Sequence, residues 1–276
     1  MAGIAIPEAA QKKRAVSRVA SAFAIVNQKG GVGKSTTAVN LSASIAEAGM
    51  EVLLVDLDPQ GNATSGIGLD KASGAACIYN ALTDEIAIEE LIESTRIEGL
   101  SAIPATLQLA GAEIELVSAL SREHKLKRAI KTIKHNYDFI IIDCPPSLGL
   151  LTINALTAAD ELVIPVQCEY YALEGLSKLL ESIRLVKTNL NPTLRIAGVL
   201  MTMYDSRTRL AQQVVDEVRS FFRELVYDVV VPRTVRLSEA PSHGLPINRY
   251  DPASKGTIAY RKLAEEVIAR AEKRAG

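Results

Sequence analysis

Four short runs of this chain are apolar at nearly every position: residues 23–26, 52–55, 139–142 and 162–166. Strict alternation would mark a strand with one wet face, whereas a continuous run marks a strand covered on both. Helical periodicity occupies 34–48, 107–135 with a break near Ser121, 148–158, 171–189, 208–223 and 256–271, and weaker strand signals fall near 99–103, 195–201 and 227–231. This alternation predicts an α/β fold, a mostly parallel twisted sheet with helices on both faces. No shift in composition divides residues 21–276, so one domain is expected there. Residues 1–20 are Ala-rich and carry Lys12, Lys13, Arg14 and Arg18 against Glu8, the composition of a flexible basic arm.

Three of the strong runs end in a polar cluster. Val26 leads into Gln28-Lys29-Gly30-Gly31-Val32-Gly33-Lys34-Ser35-Thr36, Val55 into Asp56-Leu57-Asp58-Pro59-Gln60-Gly61-Asn62, and Ile142 into Asp143-Cys144-Pro145-Pro146-Ser147. Parallel strands deliver their carboxyl ends to one edge, where open α/β sheets bind ligands, so the three clusters should converge on one site. The first has the context of a phosphate-binding loop, with a strand before it and a helix after it. Its glycines let backbone N–H groups crowd around phosphate oxygens, and the helix points its positive end at the same anion. Lys34 would reach the β- and γ-phosphates, and the Ser35 hydroxyl would ligate Mg²⁺. Asp143, at the end of a buried strand, suits a Mg²⁺ held through water. Phosphoryl transfer also needs an oriented water, a task assigned here to Asp58, with Asp56 given to the metal's surroundings. The loop departs from the general pattern at one place: the glycine expected six positions before the lysine is Gln28, and a second lysine, Lys29, stands inside the loop.

Composition narrows the setting. The 276 residues are 48% hydrophobic and 23% charged with a net charge of −1, so no global basic field advertises nucleic acid, and any DNA contact must come from a local patch. Cys77, Cys144 and Cys168 form no CxxC pair and read as reduced core thiols of a cytoplasmic protein. No apolar run approaches the roughly 20 residues of a membrane span.

Lys-Gly-Gly-Val-Gly-Lys-Ser-Thr resembles the deviant Walker A loop of the ParA/MinD family of P-loop ATPases. The resemblance extends through 56–66, 107–116, 143–156, 167–175 and 232–244, which are similar to the chromosome-partitioning branch, ParA/Soj. It implies a slow Mg²⁺-dependent ATPase whose ATP-bound homodimer binds double-stranded DNA without sequence preference. It also implies a ParB-type centromere-binding partner that stimulates hydrolysis, and association with the bacterial nucleoid. By position, Lys29 matches the signature lysine that crosses to the partner's nucleotide, Lys34 the conventional lysine, Ser35 the metal ligand and Asp58 the hydrolytic aspartate. Gly30, Gly31, Val32, Gly33 and Thr36 complete the phosphate loop. Met203, Pro232 and Arg233 fall where the family holds adenine, Glu169 where it touches the partner's nucleotide, and Arg207 and Arg236 where it contacts DNA. By charge alone, residues 204–249 carry seven arginines against six acids, an ordinary solvated surface. The alternatives are a MinD-like switch at a membrane, an iron–sulfur reductase of related fold and a metabolic P-loop ligase. The chain's end, Ala269-Arg270-Ala271-Glu272-Lys273-Arg274-Ala275-Gly276, lacks large apolar residues to bury in lipid.

Overall fold

The computed structural model describes residues 20–70, 74–169 and 174–275, so the arm proposed for residues 1–20 lies almost wholly outside the described residues. Each strong apolar run is a strand: β1 (Ser21–Ile25), β2 (Val52–Asp56), β5 (Phe139–Asp143) and β6 (Glu161–Gln167). The weaker signals are β4 (Leu100–Ile103), β7 (Arg195–Tyr204) and β8 (Val226–Pro232), and a two-residue strand, β3 (Glu93–Ser94), was not anticipated. All eight form one sheet in the order β3-β4-β2-β5-β1-β6-β7-β8, parallel throughout except where β3 pairs with β4.

Alternate residues of the central strands feed two separate cores, which is why their runs are unbroken. Ala22, Ala24, Leu53, Val55, Ile140 and Ile142 join one core, and Phe23, Ile25, Val52, Leu54, Phe139 and Ile141 the other. The first core is closed by α3 (Ile78–Leu82), α4 (Leu109–Glu115), α5 (Lys125–Ile133), α6 (Leu150–Ala158), α7 (Glu174–Asn189) and α8 (Arg209–Phe222). The second is closed by α1 (Lys34–Glu47), α2 (Asn62–Gly66), α9 (Val235–Glu239), α10 (Ile247–Tyr250) and α11 (Lys255–Ala275). The long helical signal at 107–135 is interrupted as expected. Ser121 has φ 52° and separates α4 and its 3₁₀ extension from α5.

Register sets the chemistry. Asp56 lies opposite Asp143 across the β2–β5 pair, and Ile25 lies opposite Asp143 across β1–β5. The phosphate loop therefore leaves the sheet beside both aspartate-bearing strand ends.

Candidate active site

The loop from Asn27 to Gly33 is fastened to the sheet by polar contacts that its motif does not contain. The Asn27 side-chain amide donates to the Pro165 carbonyl at 2.7 Å and its oxygen accepts from the Lys29 N–H at 3.0 Å. The Thr202 hydroxyl on β7 donates to the Val32 carbonyl at 2.9 Å. Gly33, the residue before α1, has φ 90°, which side chains rarely adopt, and no side chain caps the helix. The first turn of α1 also carries no acid, so its N–H groups are left for an anion. Gly30 has an ordinary φ, and a Cβ there would meet no protein atom within 4 Å. Among the described residues neither backbone strain nor a neighbouring atom requires that glycine, and the space beside it is open.

Lys34 is 6% exposed and folds back so that its ammonium donates to the Lys29 carbonyl at 3.2 Å. Burial pulls its pKa below the ordinary lysine value, and the charges of Asp143 and Asp58 oppose that shift. Asp143 is fully buried, and among the described residues neither of its oxygens has a hydrogen-bond partner. Burial and then Asp56 push its pKa well up, although the Ser35 hydroxyl is close enough to pull the other way. A buried carboxylate with no hydrogen-bond partner, close to the Ser35 hydroxyl and to the charge of Lys34, is a set of hard oxygen donors that fits a hydrated Mg²⁺.

The other two aspartates divide differently. Asp56 is 1% exposed; one oxygen accepts from the Thr64 N–H and hydroxyl, both at 2.7 Å, and the other from the Asp58 N–H at 3.1 Å. Burial raises its pKa to about 6 despite those donors. Its oxygens are thus already engaged by the loop that follows β2. Asp58 is also buried, accepts from the Gln60 N–H at 3.0 Å and lines the cleft.

That cleft, about 420 Å³, is bounded by the phosphate loop, by Asp58, Gln60 and Asn62 after β2, by Pro146 after β5, and by Met203 near the carboxyl end of β7. A second cavity of about 350 Å³ shares Gly33, Thr36, Met203 and Pro241 with it and is lined by Pro232, Arg233 and Thr234. The three residues expected around adenine therefore line one cavity, next to the phosphate loop. Met203 itself has φ 53°, a strained conformation for a non-glycine at such a position.

Lys29 does not line this cleft. Its ammonium pairs with Glu169 at 3.2 Å, and both side chains are about half exposed, at 43% and 50%. Glu169 also accepts from the Gln167 side chain at 2.5 Å. The two arginines expected on DNA lie beyond the carboxyl ends of β7 and β8 and are exposed, at 86% and 57%. Arg207 is held bidentate by Asp205 at 2.9 and 2.7 Å, and Arg236 meets Glu239 at 3.1 Å and Asp251 at 3.5 Å. His243 stacks on Tyr250 with ring centroids 4.9 Å apart, a packing role. The three cysteines are free and buried, so none stands at a surface where a partner chain could share a cluster.

The family model described as an AAA domain matches residues 20–196. The sporulation initiation inhibitor protein Soj of Bacillus subtilis is 63% identical over 247 residues, 90% of this chain and 98% of that protein. The chromosome partitioning protein ParA of Myxococcus xanthus is 54% identical, over 94% and 91% of the two chains. The chain belongs to the ParA/Soj family of chromosome-partitioning ATPases. A solved structure of similar fold is the cobyrinic acid a,c-diamide synthase of Mycobacterium smegmatis with a bound ATP analogue and magnesium, at TM-score 0.82 and 38% identity over 93% of this chain and 97% of that one. The P-loop fold is thus common to partitioning ATPases and a metabolic synthase, and the much higher identity to Soj and ParA places this ATPase with the former. No helix among the described residues is long and apolar enough to cross a membrane.

Proposed function

We propose that this ATPase works as an ATP-switched dimer on DNA: two chains close around two Mg·ATP, the closed form binds duplex DNA without sequence preference, and a ParB-type partner triggers hydrolysis and release. The observation that carries the dimer is the placement of Lys29. A lysine embedded in a phosphate loop would be expected to serve its own nucleotide, yet its ammonium lies outside the cleft on a half-exposed glutamate. An exposed ion pair is worth at most about 1 kcal/mol, so Lys29 exchanges Glu169 for a partner's phosphates at little cost.

Within one chain, the N–H groups of the phosphate loop and of the first turn of α1 bind the phosphate oxygens, with Lys34 neutralising their charge. Ser35 and Asp143 would hold the metal, which supplies charge neutralisation across the β- and γ-phosphates. Asp58 orients the attacking water, and Asp56 stands behind it in the surroundings of the metal. Lys29 of the second chain brings positive charge to the γ-phosphate as it leaves, the role an arginine finger has elsewhere. Met203, Pro232 and Arg233 enclose the base, and Glu169, once released by Lys29, is half exposed and free to meet the partner's nucleotide, the role the resemblance implies for it.

Arg207 and Arg236 sit on the nucleotide edge of the sheet, so closure of a dimer there would set two pairs of arginines in a fixed relation. Each is neutralised by a carboxylate in the single chain, and DNA binding exchanges that carboxylate for phosphate. With a net charge of −1, a local and assembled patch of this kind is what DNA affinity requires. A cytoplasmic, nucleoid-bound location follows. The deciding experiment is sedimentation with ATP and with ADP, with and without duplex DNA, on the wild type and Lys29→Ala. ATP-dependent dimers and DNA binding in the wild type, both lost in the variant, are expected; a variant that dimerises normally removes Lys29 from the interface.

A further inference from the structure

Thr64 lies within the 56–66 segment but has no role of its own assigned there, and it is the hub of the buried network beneath the cleft. It lies on α2, 1% exposed, between the cleft-lining residues Asn62 and Ser65. Its N–H and its hydroxyl both donate to one oxygen of Asp56, at 2.7 Å each. Its hydroxyl oxygen in turn accepts from the Ala105 N–H at 3.0 Å, just beyond the end of β4. The second oxygen of Asp56 accepts from the N–H of Asp58 at 3.1 Å.

These four contacts have a direction. A threonine hydroxyl has one proton, and the Ala105 N–H occupies the acceptor side, so the proton is committed to Asp56. Two donors on one oxygen then fix the rotation of the Asp56 carboxylate, whose terminal torsion is otherwise broad. With that rotation fixed, the other oxygen faces the Asp58 N–H and anchors the backbone from which the Asp58 side chain enters the cleft. We infer that Thr64 is a positioning residue for hydrolysis: it orients the Asp56 carboxylate, and through it the Asp58 main chain, so that the Asp58 side chain meets the attacking water. This rests on the role given to Asp58 above. It also gives Asp56 a task that needs no direct metal contact.

The consequence is a defect in turnover separate from one in binding. Among the described residues, the hydrogen bonds of Thr64 run to Asp56 and Ala105 and not to the phosphate loop, Lys34 or Ser35, so nucleotide affinity should survive their loss. A displacement of the water-orienting group by about 1 Å costs on the order of 100-fold in rate. Thr64→Val keeps the shape and removes the hydroxyl. It should bind ATP within about threefold of wild type, and hydrolyse it roughly 10- to 100-fold more slowly in a single turnover. Thr64→Ser, which retains the hydroxyl, should restore the rate to within about threefold of wild type. Because valine leaves the buried Ala105 N–H unpaired, Thr64→Ala provides a second test: the vacated space admits a water to that N–H, but the carboxylate loses its fixed donor.

A double-mutant cycle separates positioning from a general structural effect. If Thr64 acts through Asp58, Thr64→Val should add nothing to Asp58→Ala. Single-turnover hydrolysis and equilibrium binding of ATP on the four proteins give the answer. Wild-type rates in both Thr64→Val and Thr64→Ala overturn the inference, as does a full additive loss on the Asp58→Ala background. Normal hydrolysis by Asp58→Ala itself overturns instead the role of Asp58, and is read independently of Thr64.

Discussion

Asp58→Ala should leave a protein that folds, binds Mg·ATP and closes, but does not turn over. The structural loss is small and can be itemised. The side chain gives up one hydrogen bond, from the Gln60 N–H at 3.0 Å, worth about 1 kcal/mol. The two main-chain contacts of the same residue, Asp58 N–H to Asp56 at 3.1 Å and Gly61 N–H to the Asp58 carbonyl at 2.8 Å, do not depend on its side chain. About 1 kcal/mol is a minor part of a typical 5–15 kcal/mol of folding stability, so the loop keeps its shape. ATP affinity should stay level or rise, because removing a carboxylate near Lys34 lessens repulsion of the phosphates. What is lost is orientation of the water, a contribution of about 10²- to 10⁴-fold, or roughly 3–5 kcal/mol of transition-state stabilisation. The assay is single-turnover hydrolysis in the presence of DNA and a ParB-type partner, with size-exclusion of the ATP form and equilibrium ATP binding alongside. A persistent ATP dimer, long-lived on DNA and deaf to the partner, is the expected result. Hydrolysis at the wild-type rate would refute the argument, as would a variant that binds ATP but never dimerises.

Lys34→Ala should lose nucleotide affinity by roughly 10- to 100-fold or more, since charged hydrogen bonds to phosphate are worth about 1.5–3 kcal/mol each; titration calorimetry reads this directly. Lys29→Ala should change folding stability by no more than about 1 kcal/mol and keep ATP affinity, because its partner is an exposed glutamate, while sedimentation shows the ATP dimer gone. Arg207→Ala combined with Arg236→Ala should preserve that dimer, weaken binding to every duplex tested, and reduce the slope of log affinity against log salt by roughly 3 to 4 if both arginines of both chains neutralise phosphates. Gly198→Ala would place a Cβ 2.5 Å from the buried Tyr227 ring, which also stacks under Arg270, and should cost about 1–3 kcal/mol in a denaturant titration with little effect on the nucleotide site.

The parts of this molecule that were legible in its sequence are those whose physics is local. A strand buried on both faces writes a continuous apolar run, and each of the four strong runs is a strand of the sheet centre. A phosphate loop writes its glycines and lysine within a few positions, and the rule that parallel strands share a carboxyl edge brought Asp56 and Asp143 to it before any register was known. The short elements α2, α3, α9, α10 and β3 escaped because a helix of four or five residues shows barely one turn of periodicity, and its existence is decided by what it packs against. The same limit hid the network around Thr64. Its contact with Asp56 spans only eight residues, but nothing in that spacing tells a returning helix from an extending loop. Its contact with Ala105 depends on β4 lying beside β2, which strand spacing does not reveal. The pairing of Lys29 with Glu169, 140 residues away, likewise exists only because β1 and β6 are neighbours. In this site the groups expected to touch phosphate were readable from a motif, whereas the groups that aim them are set by strand order. A sequence comparison restricted to the loop would therefore find the nucleotide and miss Thr64, and the contrast between Lys34→Ala, which should weaken binding roughly 10- to 100-fold or more, and Thr64→Val, which should spare binding and slow turnover, tests that division.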